Sequence, residues 1–291
     1  MNDLIVLSAE VHQALAEGRP VVALETSIVG QGLPHPHNLR VARDCEAAIR
    51  DEDAVPATVA VLGGRILVGA GLSDIERVAE RSVKVSARDL GPALARSEVG
   101  ATTVAATMRA AAMAGIRFMA TGGIGGVHRG HPEDQSADLE ELGRTAVAVV
   151  CSGAKIILDL ALTLERLESL SVPVLGYGCD ELPAFYSRRS GFAVAARVDG
   201  PEETAAVLRA AWDTGGRGAV VAVPPPRELD GAEDLVRRAV SEAGDATGPE
   251  VTPRLLARVA ELSGGKSLDV NVELVVNNAR VAARVARAFS G

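Results

Sequence analysis

Only three of the thirty basic side chains are lysines, Lys84, Lys155 and Lys266; the other twenty-seven are arginines. Arginine stays protonated in proteins, whereas lysine can shed its proton and attack a carbonyl. A lysine retained in so arginine-rich a chain is a candidate for work that arginine cannot do; the alternative is a surface residue that escaped replacement. Lys155 has the most suggestive setting, just after the apolar run 146–151 and the turn residues Ser152-Gly153. Ile156, Ile157, Leu160, Leu164 and Leu167 then predict a helix from about Ile156 to Ser169. A lysine at a helix N-terminus is electrostatically misplaced, and the same field favours the neutral amine that Schiff-base formation needs. The competing reading is a lysine that pairs with Glu25, Asp134 or a phosphate and keeps its proton. Lys84, within Ser82-Val83-Lys84-Val85-Ser86, could clamp a substrate anion, while Lys266, after Gly264-Gly265, reads as a surface turn with no chemistry.

Three further groups could join such chemistry. Glu25-Thr26-Ser27 ends an apolar strand-like run, and the carboxyl edge of a strand is where α/β proteins bind ligands. A carboxyl group desolvated there could hold its proton and act as an acid; a capping or exposed acid is the plainer alternative. Gly122-Gly123-Ile124-Gly125-Gly126 follows a second strand-like run. Glycines let backbone approach a ligand and amides cradle phosphate, although the spacing is that of neither common nucleotide loop. Asp134 and Asp138, with Ser136 between them, suit a hard divalent cation that takes oxygen ligands. Ser136 and Asp138 also precede Leu139-Glu140-Glu141-Leu142 in the manner of a helix cap, and the two roles are compatible.

The elements that must position these residues alternate along the chain. Strands are predicted at Val21–Leu24, Arg117–Ala120, Ala146–Cys151, Val172–Leu175, Ala193–Val198 and Ala219–Val223. Helices are predicted at Leu39–Arg50, Thr102–Met113, Glu202–Trp212, Ala232–Ala243, Thr252–Ser263 and Leu268–Phe289. Ala57–Leu62 and Arg65–Val68, joined by Gly63-Gly64, form a hairpin pattern. Residues 126–137 form the longest irregular stretch, the kind of ordered loop that often carries function. The alternation predicts an α/β protein, and the hairpin a mixed sheet. With no linker or repeat in view, residues 1–291 read as one domain.

Composition limits the partners. A formal net charge of -8 argues against a broad nucleic-acid surface but not against a small phosphorylated substrate. Three cysteines without CxxC spacing fit a reducing cytoplasm and offer no zinc framework. The first residues lack a signal-peptide pattern and no apolar run reaches membrane-spanning length, so a cytoplasmic location is expected.

Together these segments resemble the pseudouridine-5'-phosphate glycosidase family, which includes the indigoidine synthase A-like proteins. The resemblance spans nearly the whole chain: ALETSIVGQGLPHPHN, PATVAVLGGRILVG, KVSARDL, GATTVAATM, FMATGGIGGVHRG, DQSADLEEL, VVCSGAKIILDLALTLERLE, GYGCDELPAFYSRRSGF and NNARVAARVA, in order. It implies a three-layer α/β/α sandwich with a central mixed sheet, assembled as a homotrimer. It implies reversible cleavage of the C–C glycosidic bond of pseudouridine 5'-phosphate to uracil and ribose 5-phosphate. A C–C bond has no heteroatom leaving group, so the paired-carboxylate scheme of ordinary glycosidases does not transfer, and an amine on the opened sugar offers a route through an imine at C1'. By the resemblance, Lys155 is the nucleophile and Glu25 the proton donor to the departing base. Lys84, the backbone at Val104, and Ser136, Ala137 and Asp138 are substrate-binding, and Asp134 is a ligand to Mn²⁺, with Mg²⁺ a possible substitute. Thr121, His128 and Asn278 lie in matching motifs without an assigned role. The stretch Pro34-His35-Pro36-His37-Asn38 departs from the family's aromatic and glutamine there and bears on base recognition. An aldolase-like lyase on another sugar phosphate, or a non-enzymatic sugar-phosphate binder, are the alternative functions.

Overall fold

The computed structural model describes residues 4–243 and 251–291. Fourteen strands run in chain order among them: β1 (Ile5–Leu7), β2 (Val21–Leu24), β3 (Val55–Leu62), β4 (Arg65–Val68), β5 (Val83–Val85), β6 (Gly100–Thr102), β7 (Phe118–Ala120), β8 (Val127–His128), β9 (His131–Gln135), β10 (Ala148–Cys151), β11 (Leu158–Asp159), β12 (Val174–Tyr177), β13 (Ala196–Val198) and β14 (Ala219–Ala222). Eleven of these form one sheet in the order β1-β4-β3-β2-β7-β10-β14-β12-β13, with β6 branching from β3 and β5 from β6. The run from β3 to β13 is parallel, while β4 and β6 lie antiparallel to β3, so the sheet is mixed. β2, β3, β10 and β14 are buried along their whole length, as expected of strands covered on both faces.

The helices are α1 (Ala9–Ala16), α2 (His37–Arg50), α3 (Leu72–Glu80), α4 (Leu90–Ala95), α5 (Val104–Ala114), α6 (Ala137–Leu142), α7 (Leu160–Ser169), α8 (Pro201–Asp213), α9 (Ala232–Ala243), α10 (Val251–Leu262) and α11 (Lys266–Ser290). α11 packs on α2 and α8 and lies over β2, β7 and β10; α5, with α6 beside it, packs on β2, β4 and β7. Helices therefore flank a central mixed sheet, the three-layer α/β/α sandwich. Val270, Leu274, Ala282 and Ala286 recur at helical spacing along α11 and are buried, which is what holds so long a helix on the sheet. Among the described residues no helix is long and apolar enough to cross a membrane.

Three local expectations change. The helix after Lys155 starts at Leu160 rather than near Ile156. Asp159 supplies its N-cap, its carboxylate accepting from the Leu162 amide at 3.0 Å, and a helix begins where its cap sits. Ile156, Ile157 and Leu158 are buried all the same, Leu158 in β11 of the small sheet and Ile156 and Ile157 in the segment that leads into it, none of them on a helix face. Residues 126–137 are not irregular: β8 and β9 form an antiparallel hairpin with Arg129-Gly130 at its tip, Gly130 having a positive φ of 75°. β9 carries mostly partly or fully exposed polar residues, so no alternation announces it. α5 begins at Val104, capped by Thr103, because Gly100–Thr102 are spent on β6.

Candidate active site

β2, β7 and β10 are neighbours in the sheet and parallel, so the loops leaving their carboxyl ends meet. Glu25 leaves β2, Thr121 and the glycine-rich loop leave β7, and Ser152 to Lys155 leave β10. Residues more than a hundred positions apart are thereby brought to one edge.

Glu25 is only 9 % exposed. The Thr121 hydroxyl donates to its Oε1 and the Ser27 hydroxyl to its Oε2. Burial pushes the Glu25 pKa above the usual carboxylate range, while the positive charge of Lys155 and the two hydroxyl donors pull against that shift and the charge of Asp138 adds to it. Glu25, Lys155 and Asp138 are thus one electrostatic cluster, in which desolvation favours the protonated acid.

Lys155 is half-buried and fixed by its backbone. Its amide donates to the Ile124 carbonyl at 3.1 Å, and the Ile124 amide donates to Gly153 O at 3.1 Å, so the loops after β7 and β10 are laced together. Gly153 has φ of 80°, and a Cβ there would collide with the Pro183 carbonyl. From the other side, the Arg129 guanidinium donates to the carbonyls of Ile156 at 2.9 Å and Leu158 at 3.0 Å. Lys155 therefore does not sit at a helix start, and the macrodipole expected to act on it is absent; Ile156–Asp159 intervene. Its setting is a strand-end loop beside a buried carboxyl.

The glycine loop is a packing device. A Cβ at Gly125 would strike Ser136 Oγ, and one at Gly126 would strike Thr163 Oγ1. The Gly125 amide donates to Asp138 Oδ2 at 2.8 Å, and the Ala105 amide, in the first turn of α5, donates to Asp138 Oδ1 at 3.0 Å. Asp138, 5 % exposed, thus pins the glycine loop to the start of α5. This brings Val104, the first residue of α5, together with Ser136, Ala137 and Asp138 at the start of α6; Ser136 is the α6 N-cap, accepting from the Asp138 amide at 3.2 Å.

Lys84 lies in β5, opposite Ala101 of β6. Its charge reaches His128 of β8, whose pKa is lowered mainly by burial, with His131 and Lys84 acting in the same sense and Asp134 against. Asp134, on β9, has a side chain 28 % exposed and lies 4.0 Å from His128 Nδ1. Among the described residues no group of three or more His, Cys, Asp or Glu could hold a metal ion. Asp138 gives one oxygen to each of two backbone amides, of Ala105 and Gly125, and so serves the backbone rather than forming a pair with Asp134.

Two residues to which the sequence assigns no role, Asn278 and Arg129, belong to this arrangement. Asn278 of α11 is fully buried, and its Nδ2 donates to Thr121 O at 2.9 Å and to Ser152 Oγ at 3.1 Å, tying the Glu25 side of the edge to the Lys155 side. An asparagine inside the apolar stripe of a long helix was the available signal, since a buried amide must find partners. Arg129 had no comparable signal. Lys266 is the first residue of α11 rather than a turn, and it lines a separate cavity with Arg227 and Arg238. The stretch Pro34–Asn38 leads into the first turn of α2: Asn38 Nδ2 donates to Val29 O at 3.1 Å, and His37 Nε2 lies 4.0 Å from Asp269 of α11.

The family model described as "Indigoidine synthase A like protein" matches residues 10–288. The chain is 51% identical over 301 residues to a pseudouridine-5'-phosphate glycosidase of Nocardioides sp. (strain ATCC BAA-499 / JS614), covering 100% of this chain and 98% of that one. It is equally similar, at 51% identity over 304 residues and 100% of both chains, to the enzyme of that name from Paracoccus denitrificans. Among solved structures it is similar to a prealnumycin C-glycosynthase in complex with ribulose 5-phosphate, with TM-score 0.91 and 38% identity over 100% of this chain and 98% of that one. An indigoidine synthase A-like protein from Thermotoga maritima gives TM-score 0.91 and 31% identity, over 99% and 97% of the two chains.

Proposed function

The chain belongs to the indigoidine synthase A-like family of pseudouridine-5'-phosphate glycosidases, and on that premise we propose that it reversibly cleaves pseudouridine 5'-phosphate into uracil and ribose 5-phosphate. The Lys155 amine bonds to C1' as the C1'–O4' bond breaks, and O4' leaves as a hydroxyl with a proton given up by the amine, which opens the sugar ring. As the bond from C1' to the base breaks, its electron pair leaves with the base carbon, which takes the proton held by Glu25. The Lys155 nitrogen supplies its lone pair to C1', so the sugar remains as an imine that water hydrolyses to ribose 5-phosphate. The observation that carries this reading is a lysine within electrostatic reach of a buried carboxyl whose proton affinity is raised, both on one strand edge.

Lys84, the backbone at Val104, and Ser136, Ala137 and Asp138 form the substrate-binding side, with Lys84 the cation for the phosphate. The residues present fit a weakly held hard cation such as Mn²⁺ or Mg²⁺: Asp134 supplies one partly exposed carboxylate and water the remaining ligands. Bound there, the ion would neutralise negative charge near the substrate. The active form is proposed to be a homotrimer, which light scattering tests.

Borohydride trapping with ribose 5-phosphate, followed by peptide mass analysis, tests the chemistry. The adduct is expected on the Lys155 peptide and absent from Lys155→Ala; an adduct on Lys84 or Lys266, or none, removes the assignment. Uracil release from pseudouridine 5'-phosphate separates this function from an aldolase-like lyase, which would form the imine without releasing a base.

A further inference from the structure

Each turnover in the proposed reaction strips Glu25 of its proton, and Glu25 is buried away from solvent. A proton must return to it. Against Glu25 lies a cavity of about 20 Å³, lined by Glu25, Thr58 and Thr121 among apolar residues of β2, α2 and α11. That volume suffices for one water, and the three oxygen-bearing side chains give it partners. Thr58 is itself buried, on β3 in register with Leu24 of β2, and its hydroxyl donates to Glu46 Oε1 on the far side. Glu46 lies on α2 and is only half-buried, so it is in part open to solvent. Nothing in the reaction derived above uses it.

We propose that Glu46, the Thr58 hydroxyl and one water in this cavity form the path by which Glu25 regains its proton between turnovers. The inference rests on the functional reading given above. The carboxylic acid of Glu46 donates to Thr58 Oγ, Thr58 passes its own hydroxyl proton to the water, and the water protonates the Glu25 carboxylate. Glu46 then takes a proton from solvent. No electrons move, and the proton drawn in balances the one released when water adds its hydroxyl to C1' during imine hydrolysis. The groups facing the two ends are few: Lys155, Asp138, Ser27 and Thr121 around Glu25, and Arg50, Glu10 and Thr58 around Glu46. Burial raises the proton affinity of both carboxyls, so a proton can rest on either. Thr58 has no titration of its own and acts as a wire.

Rapid-mixing kinetics with pseudouridine 5'-phosphate test the path. Thr58→Val keeps the shape and removes the hydroxyl. It should release one uracil per site at the unaltered rate and then turn over about tenfold more slowly, with KM falling in step so that kcat/KM is unchanged, and with the borohydride-trapped adduct unchanged. Thr58→Ser should restore the steady rate. Glu46→Gln, isosteric and nearer the surface, should give the same burst, and it decides the matter if Thr58→Val fails to fold. Unchanged turnover without a burst in these variants overturns the path. So does a raised KM without a burst, because the cavity would then be part of the base pocket. If the unaltered protein releases no uracil, the functional reading itself fails and the path with it.

Discussion

The two halves of the site are built in opposite ways. On the main sheet edge, Glu25, Thr121, Ser152 and Asn278 are buried and cross-linked by side-chain hydrogen bonds, so their positions are over-determined. On the small sheet β11-β8-β9, His128 and Asp134 are partly exposed, and the strands bearing them are short and polar. Proton transfer to carbon requires a dry acid with a raised proton affinity, which a low-dielectric edge supplies. The hydrated cation proposed for Asp134 would keep waters in its shell, which a surface hairpin allows. Asp138 and Arg129 join the halves, the first through backbone amides of the glycine loop and α5, the second through the carbonyls after Lys155.

The largest break in this contrast should come from the dry half. Glu25→Gln is expected to lower uracil release by about 10²–10⁴-fold while leaving imine trapping with ribose 5-phosphate intact; equal loss of both would mean that Glu25 serves structure rather than proton transfer. Next comes the junction. Asp138→Ala leaves the Ala105 and Gly125 amides without their acceptor, at about 1–3 kcal/mol for each, and urea unfolding should record the loss. Arg129→Met should slow imine formation about tenfold by letting the Lys155 loop shift, with the midpoint of thermal unfolding little changed; an unaltered trapping rate would make the two halves independent.

The wet half predicts a conditional effect. Chelation followed by Mn²⁺ should abolish and restore activity, and Asp134→Ala should blunt the restoration more than it alters imine trapping without metal. The smallest effect is one of pH. Ser27 donates to the Glu25 carboxylate and so favours its charged form, which lowers its proton affinity. Ser27→Ala should therefore raise the Glu25 pKa further. Because Glu25 acts as an acid, activity falls as pH rises through that pKa, and the basic limb of the kcat profile should move to higher pH. The same sign governs stability. A carboxyl whose folded pKa is raised contributes fully below its unfolded pKa, and the contribution is lost as pH rises through the folded pKa; Glu25→Gln should flatten that part of the curve of unfolding free energy against pH.

What could be read from residues alone follows from how far each signal reaches. β2, the β3–β4 hairpin, β10 and α9 fall where apolar pattern and turn glycines put them, because those signals act over a few neighbours. The β8–β9 hairpin was hidden because β9 is almost entirely polar, so its pairing and not its pattern makes it a strand. The start of α7 was misplaced because Ile156, Ile157 and Leu158 satisfy a helical apolar spacing while being buried for another reason. With the helix starting at Leu160, its macrodipole does not act at Lys155. The rarity of lysine and the position of Glu25 at a strand end singled out Lys155 and Glu25 without indicating that they share one environment.

Residue chemistry and local pattern by themselves determined the α/β architecture and a short roster of groups able to donate, attack or bind: Glu25, Lys84, Asp134, Asp138 and Lys155. The tertiary structure alone decided their company. It buried Glu25 beside Lys155, turned Asp138 from half of an acidic pair into a bridge between amides, and recruited Asn278 from the far end of the chain. The physical reason is that burial and electrostatic coupling depend on distance through space. Parallel strands fix that distance between residues whose separation along the chain carries no trace of it.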